Sequence, residues 1–156
     1  MTQTQDAARS RTFSWSDPGI NAAHVGRRGG LELLRAMIAG ELAAPPIMHL
    51  VDMSKMEAEE GWVAVELVPQ EFHYNPLGTV HGGVISTMLD TAAACAVHTT
   101  LAAGELYTSV DLTVKFLRPV TVQSGLLTCE GTVIQRGRRT ALAPVSYTHL
   151  TLPTKA

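Results

Sequence analysis

The stretch from His73 to Asp90, HYNPLGTVHGGVISTMLD, decides the fold, because it joins a polar, glycine-rich turn directly to an apolar helix. Between His81 and Gly104, Asp90 is the only formally charged residue. Its neighbours are apolar on every side of the predicted helix: Val84, Ile85, Met88, Leu89, Ala92, Ala93, Ala94, Cys95 and Val97. A helix that is apolar all round is buried, and a carboxylate inside it is costly unless it is hydrogen-bonded or paired. We therefore predict a buried central helix and a functional role for Asp90.

The turn before the helix offers hydrogen-bond donors. Gly82 and Gly83 stand where the helix begins, and glycine there lets a ligand approach the backbone closely. The first N–H groups of a helix have no partner within it, and with the helix dipole they suit an oxygen that gains negative charge. Asn75 and His81 add side-chain donors. These residues alone leave open an ordinary turn and helix start without any chemistry.

The spacing of Gly82 and Asp90 favours a dimer. Eight residues of helix separate them by about 12 Å at about 1.5 Å per residue. An oxyanion donor and a base must reach the same carbonyl group, which one copy of the helix does not allow. Two antiparallel copies bring each Asp90 near the other chain's Gly82, so we expect a symmetric dimer with two composite sites.

The same stretch resembles the signature of hotdog-fold acyl-CoA thioesterases of the phenylacetic-acid-degradation (PaaI-like) type. The match is an asparagine, a short spacer with glycine, then His-Gly-Gly and an aspartate seven residues after the second glycine. It extends from about residue 30 to residue 143. The resemblance implies an α+β hotdog fold, in which one long helix is wrapped by a curved antiparallel sheet and dimers pair through their sheets.

The resemblance also implies roles for individual residues. The Gly82 backbone N–H would polarise the thioester carbonyl with help from Asn75, and Asp90 of the partner subunit would act as general base or nucleophile. Ser109 matches a position that orients the attacking water in some members. We count His81 among the catalytic residues, and we expect it to organise the turn through hydrogen bonds rather than to take part in a chemical step.

Substrate contacts follow from the same expectation. Gly83 would lie against the substrate, and the phosphates of coenzyme A would suit exposed arginines. The candidates are Arg118, Arg136, Arg138 and Arg139. We expect the acyl pocket between subunits, near Met88, Leu89 and Ala92. Coenzyme A belongs to the substrate, so no separate cofactor is expected, and the histidines lack metal-ligand spacing such as HExxH.

Length and composition limit the alternatives. The 156 residues suit one domain, and 46% hydrophobic with 17% charged residues indicates a folded protein. A net charge of −2 gives no support for nucleic-acid binding. Cys95 and Cys129 lack CxxC or metal spacing and read as free thiols in a reducing compartment. Without an apolar leader or a membrane-spanning run, we expect a cytoplasmic protein.

The chain divides into a flexible arm (residues 1–18), a hotdog domain (19–143) and a tail (144–156). In the domain we predict a short helix at 30–38 with Leu31, Leu34 and Ile38 on one face. Strands are predicted at 47–59, 61–68, 107–119 and 125–135, with a basic turn at 136–139. His73 is expected to position the loop or to face solvent.

The tail, PVSYTHLTLPTKA, departs from the family pattern. We predict that residues from about Pro144 onward are not native and replace the family's terminal strand, since Pro144 removes a ladder donor where the strand should continue. That loss would threaten stability and dimerisation. Residues 148–152 alternate weakly and could substitute for the strand.

Hydrolysis of an acyl- or aroyl-CoA thioester is the leading prediction of function. A non-catalytic acyl-CoA-binding module is the first alternative. A less favoured one is an enoyl-CoA hydratase, because NPLGTVH faintly resembles a hydratase motif but lacks its upstream aspartate. The predicted assembly is a homodimer or a tetramer of dimers, with no nucleic-acid or membrane partner. The acyl group is left open by the sequence.

Overall fold

A computed structural model describes residues 7–149, in which one long helix lies across an antiparallel sheet. The helices are α1 (Pro18–Ala22), α2 (Gly30–Ile38), α3 (Pro46–Val51) and α4 (Gly82–Thr99). The strands are β1 (Met53–Glu59), β2 (Trp62–Leu67), β3 (Leu127–Thr132), β4 (Gln135–Arg136), β5 (Ala141–Leu142) and β6 (Val145–His149). This α+β architecture confirms the predicted hotdog fold.

The central helix α4 packs against β2 and β3, as its apolar sequence predicts. Its fully buried residues are Ile85, Met88, Leu89, Ala92, Ala96 and Thr99. Small side chains let the helix approach the sheet closely, and Gly131 on β3 lies directly beneath the Ala92 carbonyl. The buried side chains of β2 and β3 complete the core, among them Val63, Val65, Leu67 and Leu127.

The main sheet has the strand order β1-β2-β3-β6, and all its pairs are antiparallel. The β1–β2 hairpin turns at Gly61, where a φ of +75° suits glycine. Val65 of β2 pairs with Cys129 of β3, and Cys129 pairs in turn with Tyr147 of β6. β4 and β5 form a separate two-stranded hairpin around the predicted basic turn.

Two local predictions need correction. The first strand begins at Met53 rather than at residue 47, because Pro46 starts the short helix α3 and Asp52 ends it with a φ of +66°. Helix α2 has the predicted bounds, but the predicted face is not the buried one. The face that packs inward carries Leu33 and Leu34, and Ile38 is 45% exposed. A nine-residue helix with apolar residues on several sides leaves the choice of buried face to tertiary packing.

The predicted strand 107–119 is wrong for the single chain, since the segment is not part of any sheet and is largely exposed. Val110 is 93% exposed, whereas Val114 is half-buried. A long hydrogen bond joins it to β6, from the Tyr147 hydroxyl to the Arg118 carbonyl (3.5 Å). Alternating apolar residues predict two faces but supply no partner for the backbone groups.

The tail supplies a strand, but this strand begins three residues before the weakly alternating residues 148–152. Val145–His149 pairs antiparallel with β3, and the Pro144 carbonyl just before it accepts a hydrogen bond from the Thr132 N–H (3.2 Å). Residues 150–152 of the suggested replacement strand lie outside the described residues. The origin of the tail stays a prediction.

The described part of the N-terminal arm, residues 7–17, lacks regular structure but makes specific contacts. Arg11 donates to the carbonyls of His49 (2.5 Å) and Leu50 (2.7 Å) at the end of α3, and its guanidinium lies 4.4 Å from the centre of the Phe72 ring. None of the helices between residues 7 and 149 combines the length and apolar character needed to cross a bilayer.

Candidate active site

The loop before α4 is held by the side chain of Asn75. Its Oδ1 accepts hydrogen bonds from the N–H groups of Leu77 (2.9 Å) and Thr79 (3.3 Å), and its Nδ2 donates to Thr79 Oγ1 (3.0 Å). Gly78 completes this turn with a φ of +75°. One Nδ2 hydrogen of Asn75 has no protein acceptor in the part of the chain that the structure describes. Asn75 therefore shapes the loop and keeps one donor for a ligand.

His73 anchors the same loop from inside the protein. Its Nδ1 accepts a hydrogen bond from the Gln70 N–H (2.9 Å), so its Nε2 carries the proton donated to the Val51 carbonyl (2.8 Å). Burial is the main reason why the pKa of His73 is lowered. The His73 carbonyl accepts from the His81 N–H (2.8 Å). Of the two expected roles, positioning the loop fits this buried residue, and facing solvent is wrong.

His81 is the N-cap of α4. Its Nδ1 accepts from the Gly83 N–H (2.8 Å), and its carbonyl accepts from the N–H groups of Val84 (2.9 Å) and Ile85 (3.4 Å). With the His81 N–H bonded to the His73 carbonyl, three of the four donors that lack a helical partner at this end are occupied, those of His81, Gly83 and Val84. Within residues 7–149, the Gly82 N–H is the donor of this turn that has no acceptor.

The Gly82 N–H lies beside a cavity of about 320 Å³. Its polar lining residues are Asn75, Thr79 and Arg118. Its apolar lining residues are Val80, Ile85, Phe116, Leu117, Pro119 and Val120. The loop, the start of α4 and the segment after residue 115 thus form one concave site with an uncommitted backbone donor.

Asp90 and Ser109 form a second group. The Ser109 hydroxyl donates a hydrogen bond to Asp90 Oδ1 (2.9 Å), although 19 residues separate them in the sequence. Burial raises the pKa of the nearby Cys95 thiol to about 12, with a smaller contribution from the Asp90 charge. Burial also raises the pKa of the Tyr107 phenol, and Cys95 and Asp90 add to the shift. Both of these groups stay protonated at neutral pH.

The structure thus brings the predicted site residues together in two half-sites. Asn75, Gly82 and Arg118 line the cavity, whereas Asp90 and Ser109 lie further along α4. The rise of the helix separates the two half-sites by about 12 Å. Gly83 is exposed with its N–H already bonded to His81.

The four predicted phosphate-binding arginines do not form one cluster in the chain. Arg118 lines the cavity, but Arg136 pairs with Glu105 (2.5 Å) and donates to the Thr100 carbonyl at the far end of α4. Arg138 and Arg139 are exposed on the hairpin turn that follows β4. An 18-residue helix spans about 27 Å, so this turn lies far from Gly82 of the same chain.

The expected acyl pocket near Met88, Leu89 and Ala92 is wrong, because all three side chains are buried in the core between α4 and the sheet. A helix that is apolar all round does not reveal which side meets its own sheet. Sequence reasoning missed Phe116, whose ring lies against Gly82. Among residues 7–149, no three His, Cys, Asp or Glu side chains are grouped as a metal site.

Comparisons with known proteins find thioesterases over the same part of the chain. The family model of the thioesterase superfamily matches residues 77–145, which include Gly82, Asp90 and Ser109. The chain is 29% identical over 86 residues to acyl-coenzyme A thioesterase 13 of Mus musculus, covering 55% of this chain and 60% of that protein. It spans from 56% to 66% of the length of the curated relatives that it matches.

Solved structures share the fold. A phenylacetic acid degradation-related protein from Ralstonia eutropha JMP134 superposes with a TM-score of 0.66 at 27% identity, covering 73% of this chain and 86% of that one. The PaaI protein of E. coli superposes with a TM-score of 0.58 at 24% identity, covering 74% and 82%. The chain thus has the hotdog fold of these proteins, and its residues 77–145 are similar to the thioesterase superfamily.

Proposed function

We propose that the chain hydrolyses acyl-CoA thioesters to a free acid and coenzyme A, at composite sites between two subunits. One observation carries the proposal: α4 has two incomplete half-sites, which lie too far apart to act together within one chain. Gly82 offers an uncommitted backbone donor beside a cavity, and Asp90 offers a carboxylate held by Ser109. Each half lacks what the other has, and an antiparallel second copy supplies it.

The proposed chemistry needs only these groups. The thioester carbonyl accepts a hydrogen bond from the Gly82 N–H, with the free Nδ2 hydrogen of Asn75 as second donor. Water attacks the carbonyl carbon and gives a proton to Asp90 of the partner subunit. The oxyanion that forms is stabilised by the donors and the start of α4. The C–S bond then breaks, and the sulfur of coenzyme A takes up the proton.

The hydrogen bond from Ser109 favours Asp90 as general base rather than nucleophile. It occupies Oδ1 of the carboxylate (2.9 Å) and fixes its orientation. The second oxygen, Oδ2, is then directed at one water molecule. Cys95 and Tyr107, the other titratable groups beside Asp90, are protonated at neutral pH and do not compete as bases.

The proposed substrate and location follow the same line. Arg118 at the cavity rim suits a phosphate of coenzyme A, as do Arg138 and Arg139 on the hairpin turn. Arg136 holds Glu105 instead and is the weakest candidate of the four. Two free thiols, Cys95 and Cys129, suit a reducing compartment such as the cytoplasm.

The first test is release of free coenzyme A, followed with a thiol reagent, from a panel of acyl- and aroyl-CoA thioesters. Asp90→Asn keeps the shape but removes the base, and we expect a loss of at least about 100-fold in kcat. Glu130→Gln is the matched control, since it removes one carboxylate from an exposed position of β3. Turnover by Asp90→Asn close to that of the wild type would remove Asp90 from the mechanism. Tight acyl-CoA binding without thiol release by the wild type would favour a binding module.

A further inference from the structure

Phe116 lies closer to the candidate oxyanion donor than any other side chain that meets Gly82. A Cβ built on Gly82 would lie 3.0 Å from Phe116 Cζ, 3.3 Å from Cε1 and 3.4 Å from Cε2. The end of the phenyl ring therefore occupies the place that a side chain at position 82 would take. Gly82 does not have a positive φ, so its backbone conformation does not require glycine. A side chain at position 82 would therefore press against the end of the Phe116 ring.

The rest of the Phe116 ring faces the cavity. Phe116 is 52% exposed and lines the cavity of about 320 Å³ together with Ile85 and Val120. The polar lining residues are Asn75, Thr79 and Arg118. Gly82 and the Phe116 ring line the same cavity, so a group that reaches the Gly82 N–H from this cavity would lie near the ring. An apolar wall suits a hydrocarbon chain, and a rim with arginine suits a phosphate.

We propose that Phe116 determines acyl specificity, its ring forming the wall of the acyl subsite beside the Gly82 N–H and limiting the size of the acyl group. This inference rests on the proposed thioesterase function, because it assigns the carbonyl to Gly82. The two ends of the substrate then take different walls of the cavity. The acyl chain lies against Phe116, and the coenzyme A portion extends toward Arg118.

The effect of resizing the ring follows from apolar contact. A single methylene in a hydrophobic pocket changes kcat/KM by about 10- to 200-fold. Phe116→Ala removes the whole ring, so long acyl groups gain space while short ones lose their contact. We expect the ratio of kcat/KM for long over short acyl groups to rise at least about tenfold. Phe116→Trp should shift the ratio in the opposite direction.

The experiment measures kcat/KM for the wild type, Phe116→Ala and Phe116→Trp on straight-chain substrates from acetyl-CoA to dodecanoyl-CoA. Phe13→Ala is the matched control, because Phe13 is also partly exposed (37%) and packs on Trp15 in the N-terminal arm. The control should keep the wild-type chain-length profile. Phe116→Leu, which retains apolar bulk, replaces Phe116→Ala if circular dichroism shows the alanine variant to be unfolded.

The outcomes separate the two proposals. A wild type that releases coenzyme A, with the same chain-length profile in both Phe116 variants, would overturn the role of Phe116 and leave the thioesterase function standing. A wild type that releases none would overturn the proposed function. In that case, calorimetry measures how tightly the wild type and the Phe116 variants bind non-hydrolysable acyl-CoA ketone analogues of different chain length. Opposite shifts in chain-length preference by the two variants support it, and unchanged preference or no binding overturns it.

Discussion

Gly131→Ala tests how closely the central helix lies on the sheet. Gly131 is buried on β3, and a Cβ there would lie 2.5 Å from the Ala92 carbonyl oxygen and 2.8 Å from the Ala93 nitrogen. Both are backbone atoms of α4, so no side-chain rotation relieves the overlap. The first contact falls about 0.9 Å short of the 3.4 Å at which ordinary van der Waals contact begins.

The magnitude follows from that overlap. Inserting atoms into a packed core costs about 1–3 kcal/mol, and overlap with helix backbone belongs at the upper end. A loss of about 3 kcal/mol lowers Tm by roughly 6–12 °C in a domain of this size. Asp90 is two residues before Ala92, so retreat of the helix also moves the carboxylate. A displacement near 1 Å costs up to about 100-fold in rate.

The assay is thermal unfolding followed by circular dichroism, with Gly137→Ala as control. A Cβ on Gly137 meets its nearest atom, the Thr140 carbonyl oxygen, at 3.4 Å on an exposed hairpin. That variant should stay within about 0.5 kcal/mol of the wild type. If Gly131→Ala unfolded at the same temperature as the control, the close packing of α4 on β3 would be refuted.

Three further predictions concern packing and titration. Gly30→Ala should destabilise the chain by at least about 3 kcal/mol, because its Cβ would lie 1.7 Å from the His98 carbonyl oxygen, whereas Gly29→Ala, with 3.7 Å of space, should change urea unfolding little. The folded state lowers the pKa of His73, so the unfolded chain binds more protons and the free energy of unfolding should fall as the pH drops through about 6.5. In urea titrations, His73→Gln should make the free energy of unfolding less dependent on pH. Burial raises the pKa of Cys95 and of Cys129 to about 12, so a thiol reagent at pH near 8 should modify both only after denaturation, and rapid labelling of the native protein would contradict their burial.

Local patterns predicted the parts of the fold that are decided locally. The apolar run after Gly83 predicts a buried helix, and α4 begins at Gly82, where the glycines place its start. The β1–β2 hairpin follows from its turn residues at Glu60 and Gly61. One part of the site also lies within a short stretch, since Asn75 and Gly82 belong to the turn before α4, whereas Asp90 and Ser109 are 19 residues apart. Neighbouring residues alone determine these features.

Features decided by distant partners were not predictable in the same way. The segment around Val110 alternates as a strand should, but the described chain offers its backbone no ladder partner. Ile47 belongs to the helix that Pro46 begins, although its apolar neighbours suggested a strand. The contact of Phe116 with Gly82 joins residues far apart in sequence. Only the three-dimensional arrangement shows this contact.

The central claim is that one active site is assembled from Gly82 of one subunit and Asp90 of the other. Gly82→Pro removes the donor N–H at the first helical position, where proline is well tolerated, and His81 before it is already extended. Combining it with Phe116→Ala makes room for the proline ring beside the glycine position. This variant and Asp90→Asn should each be nearly inactive in coenzyme A release.

The decisive measurement is coenzyme A release after the two inactive variants are unfolded together and refolded as a mixture. Random assortment puts half of the chains in mixed dimers, each with one intact site that carries the unaltered Phe116, so activity should recover to about a quarter of that of the wild type. The same variants refolded separately and then assayed together without exchange provide the baseline. Recovery above that baseline is the result the composite site predicts. Mixed dimers as inactive as the separate variants would contradict it.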